Sequence, residues 1–247
     1  MNYIVFDLEF NQKHKNKDSN EDKPSPSIMF EIIQIGALKL DDNLDTISTF
    51  NSFIKPTVHT VLHPYIAELT SITEEQINSS KNFLEVYEDF SNFIGKDKTV
   101  FVLWGVNDLK ELIKNATYYK LNVENIPKAY IDIQLYTSKL LNCPKGLKIG
   151  LKNALEVFNL PMDSSFHDAF NDAYYTAEIF KKVYNTDIQP LLYVHEPDRV
   201  KKAPKIKVNI SALISQFEKM YNRQLTFEEK SMIKTAYMMG KTNQFTE

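Results

Sequence analysis

Residues 2–10, Asn-Tyr-Ile-Val-Phe-Asp-Leu-Glu-Phe, constrain the fold of this chain more than any other stretch. Alternate residues of a strand share a face, so Ile4, Phe6, Leu8 and Phe10 lie on one side and Tyr3, Val5, Asp7 and Glu9 on the other. Both sides are apolar until the last residues, the pattern of a strand covered on both faces. Such a strand needs helices above and below it, which points to an α/β architecture. Asp7 and Glu9 then fall on the same face of a central strand, where two carboxylates repel each other and lose hydration. Either they sit at the exposed end of the strand, or something positive offsets the repulsion.

The rest of the chain fills in the layers. Glu31 to Leu40 and Thr46 to Lys55 read as two more strands joined through Asp41-Asp42-Asn43, a three-stranded meander with the first. The polar stretch from Asn11 to Ser27 carries Lys13, His14, Lys15, Lys17 and Lys23 before Pro24 and Pro26, and reads as a long functional or mobile loop. Thr73-Glu74-Glu75-Gln76 has the capping-box pattern, and Phe83, Val86, Tyr87, Phe90, Phe93 and Ile94 recur at helical spacing. Thr99 to Trp104 is a fourth strand, a helix follows from Asp108 to about Tyr119, and Ala129 to Ile133 is a fifth strand. Three more helical patterns follow, the last from about Asp168 to Tyr184. This order predicts a mixed five-stranded sheet with helices on both faces over residues 1–188. Pro190, Pro197 and Pro204 break the pattern and predict a Pro/Lys-rich linker over 189–208. Residues 209–247 then read as a helical hairpin, with Leu213, Ile214, Phe217, Met220 and Tyr221 on one helix and Thr226-Phe227-Glu228-Glu229 opening the other.

Composition narrows the function. With 43% hydrophobic and 25% charged residues in 247, a normal core is available and wholesale disorder is excluded. The single cysteine, Cys143, excludes an internal disulfide and a thiolate zinc cluster, and predicts a reducing, cytoplasmic setting. The amino terminus lacks a basic leader and no apolar run approaches the roughly 18 residues of a membrane span, so no membrane association is expected. Neither G-x-G-x-x-G nor G-x-x-x-x-G-K occurs, which excludes a phosphate-cradling glycine loop as the chemical engine. Residues 189–247 hold ten Lys/Arg against six Asp/Glu, a net of +4, while residues 1–188 hold 19 against 26, a net of −7. An acidic body suits carboxylates that hold cations better than a surface gripping nucleic acid by general charge.

Asp108 follows an apolar strand at the start of a helix, where it either caps that helix or joins a cation site. Trp104, just before it, is either core or a stacking platform for a base. His167 and Asp172 would diverge by roughly 140° on a continuous helix. They can face one cleft if His167 lies in the preceding loop, with Asp168 as N-cap. Ala169, Ala173 and Ala177 form a small-residue ridge that lets this helix lie close to the sheet.

The ordered set Asp7-x-Glu9, Asp108 and His167-x-x-x-x-Asp172 resembles the DEDDh family of 3′–5′ exonucleases in the ribonuclease H-like superfamily. Glu31-Ile32-Ile33-Gln34-Ile35-Gly36-Ala37, Leu69-Thr70-Ser71-Ile72-Thr73 and the segment from Gly146 to Leu155 are similar to family sequence, and the match covers about residues 1–185. Ser71 stands where the family's L-T-G-I-T has glycine, and the 11–27 insertion follows Glu9 directly. Within the family the chain resembles the stand-alone KapD-like bacterial branch. The resemblance implies that Asp7, Glu9, Asp108 and Asp172 bind two divalent cations, Mg²⁺ or Mn²⁺, with His167 as general base. It further implies 3′-to-5′ release of nucleoside monophosphates from single-stranded or frayed RNA or DNA, with Phe10 and Ile72 as contacts to the terminal base. The insertion's lysines, Arg199, Lys201, Lys202, Lys205 and Lys207 are candidate phosphate contacts or a solvated linker. Two other readings stand beside this one. A catalytically silent nucleic-acid-binding or adaptor protein on the same fold would dock a partner through its helical tail, and a phosphohydrolase would act on small nucleotides.

Overall fold

Strand β1 (Asn2–Gln12) runs through the middle of the sheet, as its two apolar faces require. The computed structural model describes residues 1–13, 28–144, 146–185, 187–194 and 209–241. On one side β1 pairs antiparallel with β2 (Phe30–Leu40), which pairs antiparallel with the edge strand β3 (Thr46–Phe53). Three short helical elements follow: α1 (Pro64–Thr70), α2 (Glu74–Asn78) and the longer α3 (Phe83–Ile94). On its other side β1 pairs parallel with β4 (Thr99–Leu103). After α4 (Asn107–Tyr118), β5 (Ala129–Asp132) pairs parallel with β4. Then come α5 (Ile133–Leu140), α6 (Leu151–Val157) and α7 (Ala169–Val183). A two-residue strand, β6 (Leu191–Leu192), closes the far edge against β5.

Among the described residues the sheet therefore has six strands, in the order β3-β2-β1-β4-β5-β6, rather than the five expected. The extra strand lies in the stretch expected to open the linker. Two leucines are too short a run to show a strand period, and they pair only because β5 leaves an open edge. The chain divides into two units, Met1–Val194 and His195–Glu247. Residues 195–208 of the expected linker, and its basic residues, lie outside the described residues, as do residues 14–27 of the expected loop. Asn11 and Gln12, read as the start of that loop, extend β1 instead.

Two cores flank the sheet. Ile4, Phe6 and Leu8 of β1 pack with Val86 and Phe90 of α3 and Leu109 and Leu112 of α4. Tyr3 and Val5 pack on the opposite face with Ala173, Ala177, Ile179 and Phe180 of α7. A smaller cluster of Ile33, Leu62, Ile72 and Ile77 lies beneath α1 and α2. Ile33 reaches it because a bulge shifts the β1–β2 register, pairing Glu9 with Gln34 but Phe10 with Ile32. The expected capping boxes are present: Thr73 with Gln76 starts α2, and Thr226 with Glu229 precedes the second tail helix. That tail comprises α8 (Ile210–Tyr221) and α9 (Phe227–Lys241). No helix among the described residues is long and apolar enough to cross a membrane.

Candidate active site

Asp7 and Glu9 sit on β1 directly opposite Gly36 and Gln34 of β2, on the face that α7 covers. Gly36 is what lets α7 come down onto that face. A Cβ there would stand 2.2 Å from the carbonyl carbon of Ala169 and from the Phe170 nitrogen, where no side chain fits. Ala169, Ala173 and Ala177 are fully buried on the same helix, as the small-residue ridge predicts. The first turn of α7, and Asp172 in it, is thereby pressed against the strand that carries the first two acids.

Asp168 caps α7, accepting from the amides of Phe170 (3.1 Å) and Asn171 (3.0 Å). His167 precedes it with φ 61°, in the left-handed region, so the chain turns out of the helix line just before the cap. Its backbone N–H donates to Asp172 Oδ2 (3.2 Å). A ring nitrogen of His167 and carboxylate oxygens of Glu9 and Asp172 lie within 4.8 Å of one another. Asp108 is the second residue of α4, and Val106, not Asp108, occupies the cap position.

Burial and mutual repulsion raise the proton affinity of all four acids. Asp7 is held well above the usual carboxylate range by burial first, then by Asp108, Asp172 and Glu9. Burial, then Asp172 and Asp108, pushes Glu9 up to about 8. Burial takes Asp108 to about 7 against the lowering effect of its own backbone amide, with Glu111 and Asp172 adding to the rise. Burial takes Asp172 to about 6, although the His167 amide pulls it back. Four acids from three remote stretches of sequence thus feel one another. The Oδ1 of Asp172 is buried with no hydrogen-bond partner among the described residues, an acceptor without a donor. Repelling carboxylates, an orphaned acceptor and all-oxygen donors fit a hard divalent cation.

Other expected site residues have different surroundings. Ile72 is 4% exposed and packs with Ile33, Leu62 and Ile77. That packing leaves little of its side chain open to a base. Phe10 is half-buried against the α3–α4 core and meets Phe30 edge to face at 6.2 Å. Trp104 is half-buried against the α7-side core, the packing outcome of its two readings. Ser71 ends α1 in the left-handed region (φ 59°), which explains why glycine suits that position.

Sequence reasoning gave no role to Asn11 or Glu31, which face each other across β1 and β2. Glu31, 1% exposed, accepts from the amides of Thr57 (2.6 Å), Val58 (3.0 Å) and His59 (2.6 Å) and from the Tyr119 hydroxyl (2.7 Å). Asn11 donates to the carbonyls of His59 (2.7 Å) and Val61 (2.9 Å) and accepts from the His63 amide (3.0 Å). Together they pin residues 57–63 across the end of β1 just beyond Glu9. The available signal was a charged residue opening an otherwise apolar strand run, Glu31-Ile32-Ile33.

Comparison with known proteins gives a consistent family. The family model described as Exonuclease, of the RNase T type, matches residues 4–180. A DNA polymerase III of the PolC type from Clostridium perfringens is 32% identical over 190 residues, 72% of this chain but 11% of that protein. ERI1 exoribonuclease 3 from Mus musculus is 27% identical over 161 residues, 61% of this chain and 47% of that protein. The chain thus spans about a tenth and about half of these two relatives. The Bacillus subtilis KapD, a probable 3′-5′ exonuclease, is a distant relative at 22% identity over 73% of this chain and 83% of KapD. Among solved structures, the nuclease domain of 3′hExo, a DEDDh family member bound to rAMP, shares the fold. It has a TM-score of 0.65 at 20% identity, over 78% of this chain and 96% of that one.

Proposed function

Because the chain belongs to the DEDDh family of 3′–5′ exonucleases, we propose that it hydrolyses the terminal phosphodiester at the 3′ end of single-stranded or frayed RNA or DNA, in the cytoplasm. The single observation that carries this reading is the convergence of Glu9, Asp172 and the His167 ring nitrogen within 4.8 Å. The reading is supported at Asp7 and Asp108 by proton affinities raised first by burial and then by neighbouring carboxylates, Asp172 among them.

Asp7, Glu9, Asp108 and Asp172 would hold divalent cations, Mg²⁺ or Mn²⁺ by their oxygen donors. Such cations, when bound, supply positive charge that offsets the acids and polarises the phosphodiester. His167 is exposed beside Glu9 and Asp172, so water reaches its ring. There the imidazole takes one proton from a water molecule as the water oxygen bonds to phosphorus. The bond from phosphorus to the 3′ oxygen breaks, that oxygen takes a proton from solvent so that the shortened strand leaves with a 3′-hydroxyl, and a nucleoside 5′-monophosphate is released. Asp172 fixes the His167 backbone through its amide, so one residue serves both the cation cluster and the base. Phe10, half-buried at the end of β1, and the more buried Ile72 are the candidate contacts for the terminal base.

The test is digestion of matched 5′-labelled and 3′-labelled RNA and DNA oligomers with Mg²⁺, Mn²⁺ or chelator. The expected result is a metal-dependent ladder shortening from the 3′ end and monophosphate product. Cleavage inside the strand, or activity unaffected by chelator, would overturn it. His167→Ala is expected to lower kcat by about 10²–10⁴-fold, the usual contribution of a positioned base, while leaving the metal-induced rise in melting temperature intact.

A further inference from the structure

Gln34 is a fully buried amide in the apolar run Ile33-Gln34-Ile35 of β2. A buried amide is tolerated when its hydrogen-bonding groups are satisfied. Here they are. Its Oε1 accepts from the Ala169 amide (3.2 Å), and its Nε2 donates to Asp168 Oδ2 (3.0 Å) and to Asn51 Oδ1 (3.1 Å). The other oxygen of Asp168 is engaged with the amides of Phe170 and Asn171. Strand β2 therefore grips the first turn of α7 at both the cap side chain and the first backbone amide.

These bonds are not needed to bring α7 down onto the sheet. The Gly36 notch and the buried Ala169, Ala173 and Ala177 already do that by shape. What shape leaves open is the rotation and height of the first turn, because an apolar ridge can slide. Gln34 removes that freedom. Asn51, on the edge strand, sets which way the amide points: turned over, its oxygen would face the Asn51 oxygen and the Asp168 carboxylate. His167 immediately precedes this turn in a left-handed conformation, which a residue with a side chain holds only where its surroundings fix it. We propose that Gln34, oriented by Asn51, is a positioning residue that fixes the His167 imidazole over the acid cluster through the Asp168 cap and the Ala169 amide. The activity arm of this inference rests on the exonuclease reading above; its spectroscopic arm does not.

The experiment uses the full chain and the variants Gln34→Leu, Asn51→Ala and Asn51→Asp. Each is measured for kcat and KM on a labelled oligonucleotide, for the Mg²⁺-induced rise in melting temperature, and by NMR of the His167 ring and the Ala169 amide. Gln34→Leu is expected to lower kcat about ten- to hundred-fold, the effect of a small misplacement of a reacting group. KM should stay within about three-fold, because ground-state binding is not altered. The metal-induced rise should remain, the His167 ring signals should shift or broaden, and the Ala169 amide should exchange faster. Asn51→Ala should move the same readouts in the same direction, and Asn51→Asp, which keeps the accepting oxygen, should restore them. If Gln34→Leu does not fold, the Asn51 pair decides the matter from its exposed strand. Unchanged kcat and unchanged His167 signals would overturn the inference, as would a rise confined to KM. If the natural chain releases no 3′ nucleotide at all, the exonuclease reading fails, and the His167 and Ala169 signals still accept or reject the positioning role.

Discussion

Asp172 has one oxygen on the His167 amide and the other buried without a donor among the described residues. Burial and neighbouring carboxylates act on all four acids, and the sign of the pH effect follows. Each of the four acids binds its proton more tightly in the fold than the ordinary carboxylate value of about 4. Their contribution to stability is therefore most favourable below about pH 4 and is lost as pH rises through the values of Asp172, Asp108 and Glu9, about 6, 7 and 8. Under the proposed function, divalent cations would replace those protons. Thermal melts with chelator should fall between about pH 5 and pH 8, and the gain from Mg²⁺ should grow across the same window. A gain that shrinks as pH rises would contradict the cluster. At this scale period and spacing put Asp7 and Glu9 on one face and His167 before a cap, while their grouping with Asp108 and Asp172 came from the family resemblance. Gln34, Asn11 and Glu31 were not legible. A polar residue in a strand reads equally well as a wet edge, and their partners lie in distant stretches of the chain.

The element that decides whether the site can close is α7, and its seat is a missing side chain at Gly36. The Cβ of Gly36→Ala would meet backbone atoms of Ala169 and Phe170, which cannot rotate away as a flexible side chain would. The expected cost is about 3 kcal/mol, the upper end of ordinary overpacking. Because the strain falls between β2 and the first turn of α7, the surviving folded protein should also lose metal affinity. Melting temperature with and without Mn²⁺ measures both; a variant as stable and as metal-responsive as the natural chain would refute the tight seat. Elements whose signals are local were readable in advance: the buried central strand, the capping boxes at Thr73 and Thr226, and the alanine ridge. Strand β6 was not, since two leucines carry no period. Nor was the extension of β1 through Asn11, whose burial is made possible by the carbonyls of His59 and Val61.

Across the whole molecule, β1 and β4 run parallel at the centre, and the acids come just beyond where they pair: Asp7 and Glu9 on β1, Asp108 after β4. The sheet then continues past the expected boundary at 188, because Leu191 and Leu192 pair with Tyr130 and Ala129 and the Tyr193 amide donates to the Lys128 carbonyl (2.7 Å). Two truncations separate these boundaries. A chain ending at Val194 should keep the metal response and nearly all the stability of the first unit. One ending at Ile188 should melt several degrees lower, at about 2–4 °C per kcal/mol of lost pairing. Equal melting temperatures would show that β6 adds nothing. The central strand also sets an order in time. Asp7 and Glu9 are synthesised before Asp108, and the imidazole and the last acid arrive only with α7. Until α7 has been made, only three of the four acids and no imidazole are present, so the cluster cannot be complete before that helix folds.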